Sequence, residues 1–225
     1  MSDLIVSVHI PKTGGVSFRE VLAELAGGHM VLDYDDRPLA PRSPWRALRQ
    51  RLRRPSLPPG TRVVHGHFVA GKYGRTHPEA RFVTWLRDPV ERLASHYHYW
   101  LREPDPKNAT CRRLLEERLD LLGFAALPEM RDVHARFLAG VPIERFAFVG
   151  LTEDFDAGME LFRRLFCPER CFEVGKRNAN PERGGERYDL EPALRERIEA
   201  LNRADRDFYA RARARYDELR GAGSR

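Results

Sequence analysis

Lys12, Thr13 and Ser17 flank a glycine pair in the segment Val6-Ser7-Val8-His9-Ile10-Pro11-Lys12-Thr13-Gly14-Gly15-Val16-Ser17-Phe18. Together these residue types can hold a phosphate. The apolar run before them predicts a buried strand, the glycines a tight turn, and the residues after Gly15 the first turn of a helix. Backbone N–H groups at a helix start lack partners within the helix, and the helix dipole adds about half a positive charge there. Gly14 and Gly15 let the backbone, Val16 included, curl close around an anion. Thr13 and Ser17 offer hydroxyls, and Lys12 a mobile cation. Order matters as much as identity. The phosphate loop of ordinary nucleoside triphosphatases places its lysine after the second glycine and directly before Ser or Thr. Here Lys12 precedes both glycines and no Gly-Lys-Ser/Thr occurs.

A second anion grip is written further along. Arg81-Phe82-Val83-Thr84-Trp85-Leu86-Arg87 reads as another buried strand, and Asp88-Pro89 starts a helix through about Arg102, with Pro89 suited to its first turn. Arg87 then stands at a strand's carboxyl end, where open α/β sheets bind ligands. Ser95 lies eight residues on, about two helical turns in, and can face the same crevice. A guanidinium fork and a hydroxyl would grip one phosphate; read alone, the same residues are a capping ion pair with Asp88 and a helix-face serine. Between the two grips, Arg62-Val63-Val64-His65-Gly66-His67-Phe68 is an apolar strand that sets two imidazoles at a sheet edge. Histidine, with an ordinary pKa near 6.5, can take a proton near neutrality. His-x-His is also half of a metal site, but no third ligand stands at a telling spacing and the cysteines lie elsewhere.

Pro-Lys-Thr-Gly-Gly at the end of a first strand resembles the 5′-phosphosulfate loop of sulfotransferases that use 3′-phosphoadenosine 5′-phosphosulfate (PAPS). Arg87-Asp88-Pro89-Val90-Glu91-Arg92-Leu93-Ala94-Ser95-His96-Tyr97 resembles the 3′-phosphate motif of the same family, in which an arginine and a serine at this spacing bind the nucleotide. The His-Gly-His is similar to that of the uronyl 2-O-sulfotransferases, whose second histidine serves as base, so the resemblance casts His67 as base with His65 as an accessory. Val149-Gly150-Leu151-Thr152-Glu153 followed by a helix-like run, the basic turn Lys176-Arg177-Asn178-Ala179-Asn180-Pro181, and the tail from Leu201 through Phe208, Ala212 and Tyr216 extend the likeness to nearly the whole chain. In the family the basic turn closes over the donor nucleotide, which gives Lys176 and Arg177 a binding role. One departure is His134, where the family often has a glutamine near the acceptor; His134 is expected on a helix surface. The resemblance implies in-line transfer from PAPS to a hydroxyl, with a saccharide as acceptor. His67 would take the proton while Lys12 and the N–H groups around Gly14 to Ser17 steady the leaving phosphate, and no metal is required. His134 and Glu103 are the next candidates for the base. A P-loop-type kinase and a non-catalytic nucleotide- or glycan-binding module are the rival readings.

The elements that must position these groups follow from pattern. At 225 residues the chain can bury one substantial core, so a single domain over 1–225 is expected, with a basic insertion at about 36–62. That insertion holds six arginines from Arg42 to Arg54, interleaved with Trp45, Leu48 and Leu52. It reads as a short amphipathic helix docked by Trp45, or a surface for an acidic acceptor or an anionic membrane. With 39 Lys+Arg against 33 Asp+Glu, the net charge of +6 suits anionic ligands but is too modest to call for a nucleic-acid partner. Cys111, Cys167 and Cys171 are odd in number and lack a zinc pattern, which points to reduced thiols. Met1-Ser2-Asp3 leads straight into the first strand, and no apolar run reaches the roughly 18 residues of a membrane span, so a cytoplasmic protein is expected. The predicted order is strand, loop, helix, basic insertion, two strands, several helices from Pro89 with one over about Cys111 to Leu122, strand, helix, basic loop and terminal helices. This is an α/β class with a central parallel sheet flanked by helices; the P-loop-like three-layer form is what the resemblance implies.

Overall fold

Four apolar runs of the sequence become buried strands because each is short, rich in β-branched or aromatic residues, and bounded by turn residues. They are β1 (Ile5–Val8), β3 (Val63–Gly66), β4 (Arg81–Leu86) and β5 (Phe146–Leu151), joined by a fifth, β2 (Met30–Asp33). The computed structural model describes residues 3–36, 38–39, 45, 54–169 and 187–222. All strand pairings among them are parallel, in the order β2-β3-β1-β4-β5. The α/β class and the flanking helices are therefore as the pattern predicts.

The helices among the described residues are α1 (Gly15–Ala26), α2 (Gly71–Gly74), α3 (Pro89–Arg102), α4 (Ala109–Glu116), α5 (Leu121–Ala126), α6 (Val133–Phe137), α7 (Phe155–Phe166), α8 (Pro192–Leu201) and α9 (Arg203–Gly221). On one face of the sheet, Phe18 of α1 meets Phe162 of α7 at 4.8 Å and Trp85 of β4 at 5.8 Å between ring centroids. Such pairs add about 0.5–1.5 kcal/mol each beyond their buried area. They fix the start of α1 against β4, which is where the two anion grips must meet. Phe208, Ala212 and Tyr216 of α9 are buried in the main core, while Leu201, at the end of α8, is partly buried against the second cluster. A second buried cluster, including Leu93 of α3, Leu114 of α4, Phe124 of α5 and Ile198 of α8, holds α3 from its other side.

Several expectations need correction. The predicted order has no strand between α1 and the basic insertion, yet β2 forms there: its apolar run is only three residues, Met30-Val31-Leu32, and of its four residues only Asp33 is buried. It pairs with β3 and makes β3 an interior strand, so the His-Gly-His pair stands at the carboxyl end of the sheet rather than on an edge strand. The helix expected over about Cys111 to Leu122 is two helices, broken at Arg118, whose φ is 49°, and restarted by Asp120, which caps α5 through Gly123 N–H at 2.7 Å. Trp45 is 80% exposed and does not dock the basic insertion. The arginines from 42 to 53, Cys171 and the basic turn with Lys176 and Arg177 lie outside the described residues.

Candidate functional site

The glycine loop leaves β1 and enters α1 through Gly14, whose φ of 86° is left-handed and costs glycine little. The N-cap residue Gly14 supplies no side-chain cap, so the first N–H groups of α1 open onto the loop. Lys12 also has a left-handed φ, 70°, a conformation that costs a non-glycine residue about 1–2 kcal/mol. That strain turns its side chain toward α3, where Nζ lies 3.8 Å from the centre of the Tyr99 ring. Burial, with the charges of Arg102 and Arg87, pulls its pKa down to about 8 against a smaller opposing effect of Glu103. Thr13 is buried and its hydroxyl donates to the Ile10 carbonyl at 2.8 Å, which braces the loop from within. Ser17 is buried in the first turn of α1.

Arg87, expected to form the second grip, stands at a corner between β4 and α3. Asp88 accepts from the N–H groups of Val90 and Glu91 at 3.0 and 3.1 Å and caps α3, with Pro89 at its first position. Glu153, just past β5, accepts the Asp88 N–H at 2.8 Å and the Tyr209 hydroxyl of α9 at 2.9 Å, while the Thr152 hydroxyl donates to the Leu86 carbonyl at 2.9 Å. The Thr-Glu pair thus clamps the turn that carries Arg87. Arg87 and Ser95 are both buried. Arg87 acts electrostatically on Lys12, and His96, the neighbour of Ser95, feels Lys12 and His67. The loop, the β4 corner and the second turn of α3 therefore close on one place.

Histidines occupy the other side. Ser7 and His65 are partners in the sheet, as are Leu32 and His65. Two residues further along each strand, on the same face, this register sets Tyr34, His67 and His9 in one row. His65 Nδ1 is 2.9 Å from the Ser7 hydroxyl. The Tyr34 ring stands edge-on to His67 at 4.8 Å, and His9 lies 4.5 Å from His67 and 4.9 Å from His65. His67 Nε2 is buried and meets no hydrogen-bond partner among the described residues. Burial lowers the His67 pKa to about 4; burial, then the charges of His67 and Arg19, lower that of His65 to about 3. Burial thus favours the neutral form of both rings. Among the described residues no group of three or more His, Cys, Asp or Glu is arranged to hold a metal ion.

His134 departs from expectation: it is fully buried in α6, with Nδ1 3.7 Å from Asp205, whose carboxylate accepts the backbone N–H groups of His134 and Ala135 at 2.9 Å each. The N–H groups at the start of α6 need an acceptor, and α9 brings Asp205 to them, which draws the ring inside. His9, Tyr34 and His96 were missed. Strand-end position could have flagged His9, whereas Tyr34 follows the unrecognised β2 and His96 carried no separate signal.

No protein-family model matches the chain, and no curated protein does. Solved structures similar to it include a sulfotransferase from Alicyclobacillus acidocaldarius, 18% identical, with 97% of this chain and 96% of that one covered at a TM-score of 0.46. Another is mouse sulfotransferase SULT7A1 complexed with PAP, 13% identical, with 88% of this chain and 62% of that one covered at a TM-score of 0.37.

Proposed function

We infer that this chain transfers a sulfuryl group from PAPS to a hydroxyl acceptor, with a saccharide as the acceptor class. The observation that carries the reading is the meeting of cations beside the start of α1: the pKa of Lys12 is held down to about 8, first by burial and then by the charges of Arg102 and Arg87. Mutually repelling cations at the carboxyl end of a parallel sheet suit a polyanion, which relieves the repulsion when it binds. Two grips on separate strands suit a nucleotide phosphorylated at both ends of its ribose. The loop would hold the 5′-phosphosulfate, and Arg87 with Ser95 the 3′-phosphate. Lys176 and Arg177 would close over the nucleotide.

In the proposed step the acceptor oxygen attacks sulfur in line while the S–O bond to the 5′-phosphate breaks. His67 Nε2 takes the acceptor proton. The leaving phosphate keeps the electron pair, and its charge falls on Lys12 and the N–H groups around Gly14 to Ser17. Donors fixed in advance around a developing charge are commonly the largest catalytic effect, each worth about 3–4 kcal/mol. His65 steadies the base from the next position on its own face of β3.

Thermal unfolding with nucleotides tests the two-grip assignment. 3′-Phosphoadenosine 5′-phosphate (PAP) at a hundredfold excess over its Kd should stabilise the fold by about 2.7 kcal/mol. Adenosine 5′-phosphate at the same concentration should do much less. Equal shifts from the two would remove the role of Arg87 and Ser95.

A further inference from the structure

The donor loop and the base are joined by a third histidine. His9 stands just past β1, and its ring is stacked on His65 and lies beside His67. On its other side the ring fills the space that a Cβ on Gly15 would take, and the nearest atoms there are Cδ2 and Nε2. Gly15 is the first residue of α1. The Nε2 edge of His9 therefore faces the helix start, and Nδ1 points the other way, 3.3 Å from the Tyr34 hydroxyl.

The partners of Tyr34 decide where the His9 proton sits. Arg19 hydrogen-bonds to Tyr34, and a guanidinium has only donors to offer. A phenol oxygen that accepts from Arg19 still has its own proton to give, and His9 Nδ1, 3.3 Å away, is placed to take it. Burial, followed by the charges of His67, His65 and Arg19, keeps the His9 ring neutral. A neutral imidazole carries one proton, so that proton lies on Nε2, toward the phosphate loop.

We propose that His9 is a catalytic residue whose Nε2–H donates to a non-bridging oxygen of the transferring sulfuryl group. The proposal rests on the sulfotransfer reading above. The bonds and protons are those of the step already given, and His9 neither gains nor loses a proton. It holds the sulfuryl group between the loop and His67, in line with the acceptor. Because His9 is three residues from Lys12 on the same chain, the group that holds the sulfuryl oxygen and the cation that holds the leaving phosphate move as one frame.

Nitrogen NMR of the wild-type chain with labelled imidazoles should show His9 protonated at Nε2 and bare at Nδ1 at pH 7; the opposite tautomer overturns the proposal whatever the variants do. With PAPS as donor and the best acceptor of a hydroxylated saccharide panel, His9→Ala should lose on the order of 10²–10³-fold in kcat. Its Kd for PAP should stay within about threefold, a factor close to RT in free energy. His9→Gln, which keeps an N–H donor, should recover about tenfold of the loss. A His9→Ala enzyme with near wild-type kcat overturns the proposal, as does a His9→Gln enzyme no better than His9→Ala. A wild-type chain that binds PAP but transfers to nothing sinks the sulfotransfer reading itself, and the role of His9 with it.

Discussion

In the proposed step Lys12 and His67 need opposite protonation states: the lysine charged, the imidazole neutral. Their pKa values of about 8 and about 4 leave a wide window in which both conditions hold. A pH profile of kcat/KM, which reports the free enzyme, should therefore fall above about pH 8 as Lys12 loses its charge, and on the acid side only near pH 4. Lys12→Ala should abolish the alkaline limb and cut turnover more than PAP affinity, because its charge matters most as the leaving phosphate forms. An unchanged alkaline limb in that variant would reassign the loop. His67→Ala should keep PAP binding and lose on the order of 10²–10⁴-fold in turnover, with His65→Ala less affected; a fully active His67→Ala enzyme would move the base elsewhere. The glycine pair, Lys12, Arg87, Ser95 and the His-Gly-His could be proposed from sequence because their chemistry sits in local spacing, and the structure sets them at the carboxyl ends of β1, β4 and β3. His9 and Tyr34 were not, because only the register of three strands brings them to His67.

Elements with strong local signals came out close to the reading. β4 ends at Leu86 and α3 runs from Pro89 to Arg102, as the apolar run and the Asp-Pro cap imply. β2 did not, since a four-residue strand with one buried residue is held by β3 rather than by its own sequence. Its end is then fixed by Lys72 of α2, 2.6 Å from Asp33 and 3.4 Å from Asp36, with the Tyr73 hydroxyl donating to Asp33 at 2.7 Å. Those contacts seat Tyr34. The Thr-Glu pair after β5 shows the same dependence on partners, for it acts by holding the Asp88 turn. Glu153→Ala leaves the Asp88 N–H and the Tyr209 hydroxyl without their acceptor and should cost about 1–3 kcal/mol of stability. It should also weaken PAP binding through the neighbouring Arg87. A variant of wild-type stability and affinity would show that the clamp does not set the corner.

At the scale of the whole molecule, the chain stores many neutral histidines. His9, His65, His67, His96 and His134 are all held below their ordinary pKa, chiefly by burial. An unfolded chain protonates them near pH 6.5 and the folded one does not, so between about pH 6.5 and 4 the unfolded state binds more protons and stability falls as pH falls. Each proton of difference is worth about 1.4 kcal/mol per pH unit. Urea unfolding should show that decline, and a flat profile over the window would mean the rings are not held neutral. Among the described residues no helix is long and apolar enough to cross a membrane. The central claim is transfer itself, and the most direct measurement is incubation of the full chain with sulfur-labelled PAPS and a panel of hydroxylated saccharides. Label should appear on at least one acceptor with matching release of PAP, and Lys12→Ala should sharply reduce it. Tight PAP binding with no label transferred to any acceptor would contradict the claim and leave a nucleotide-binding module in its place.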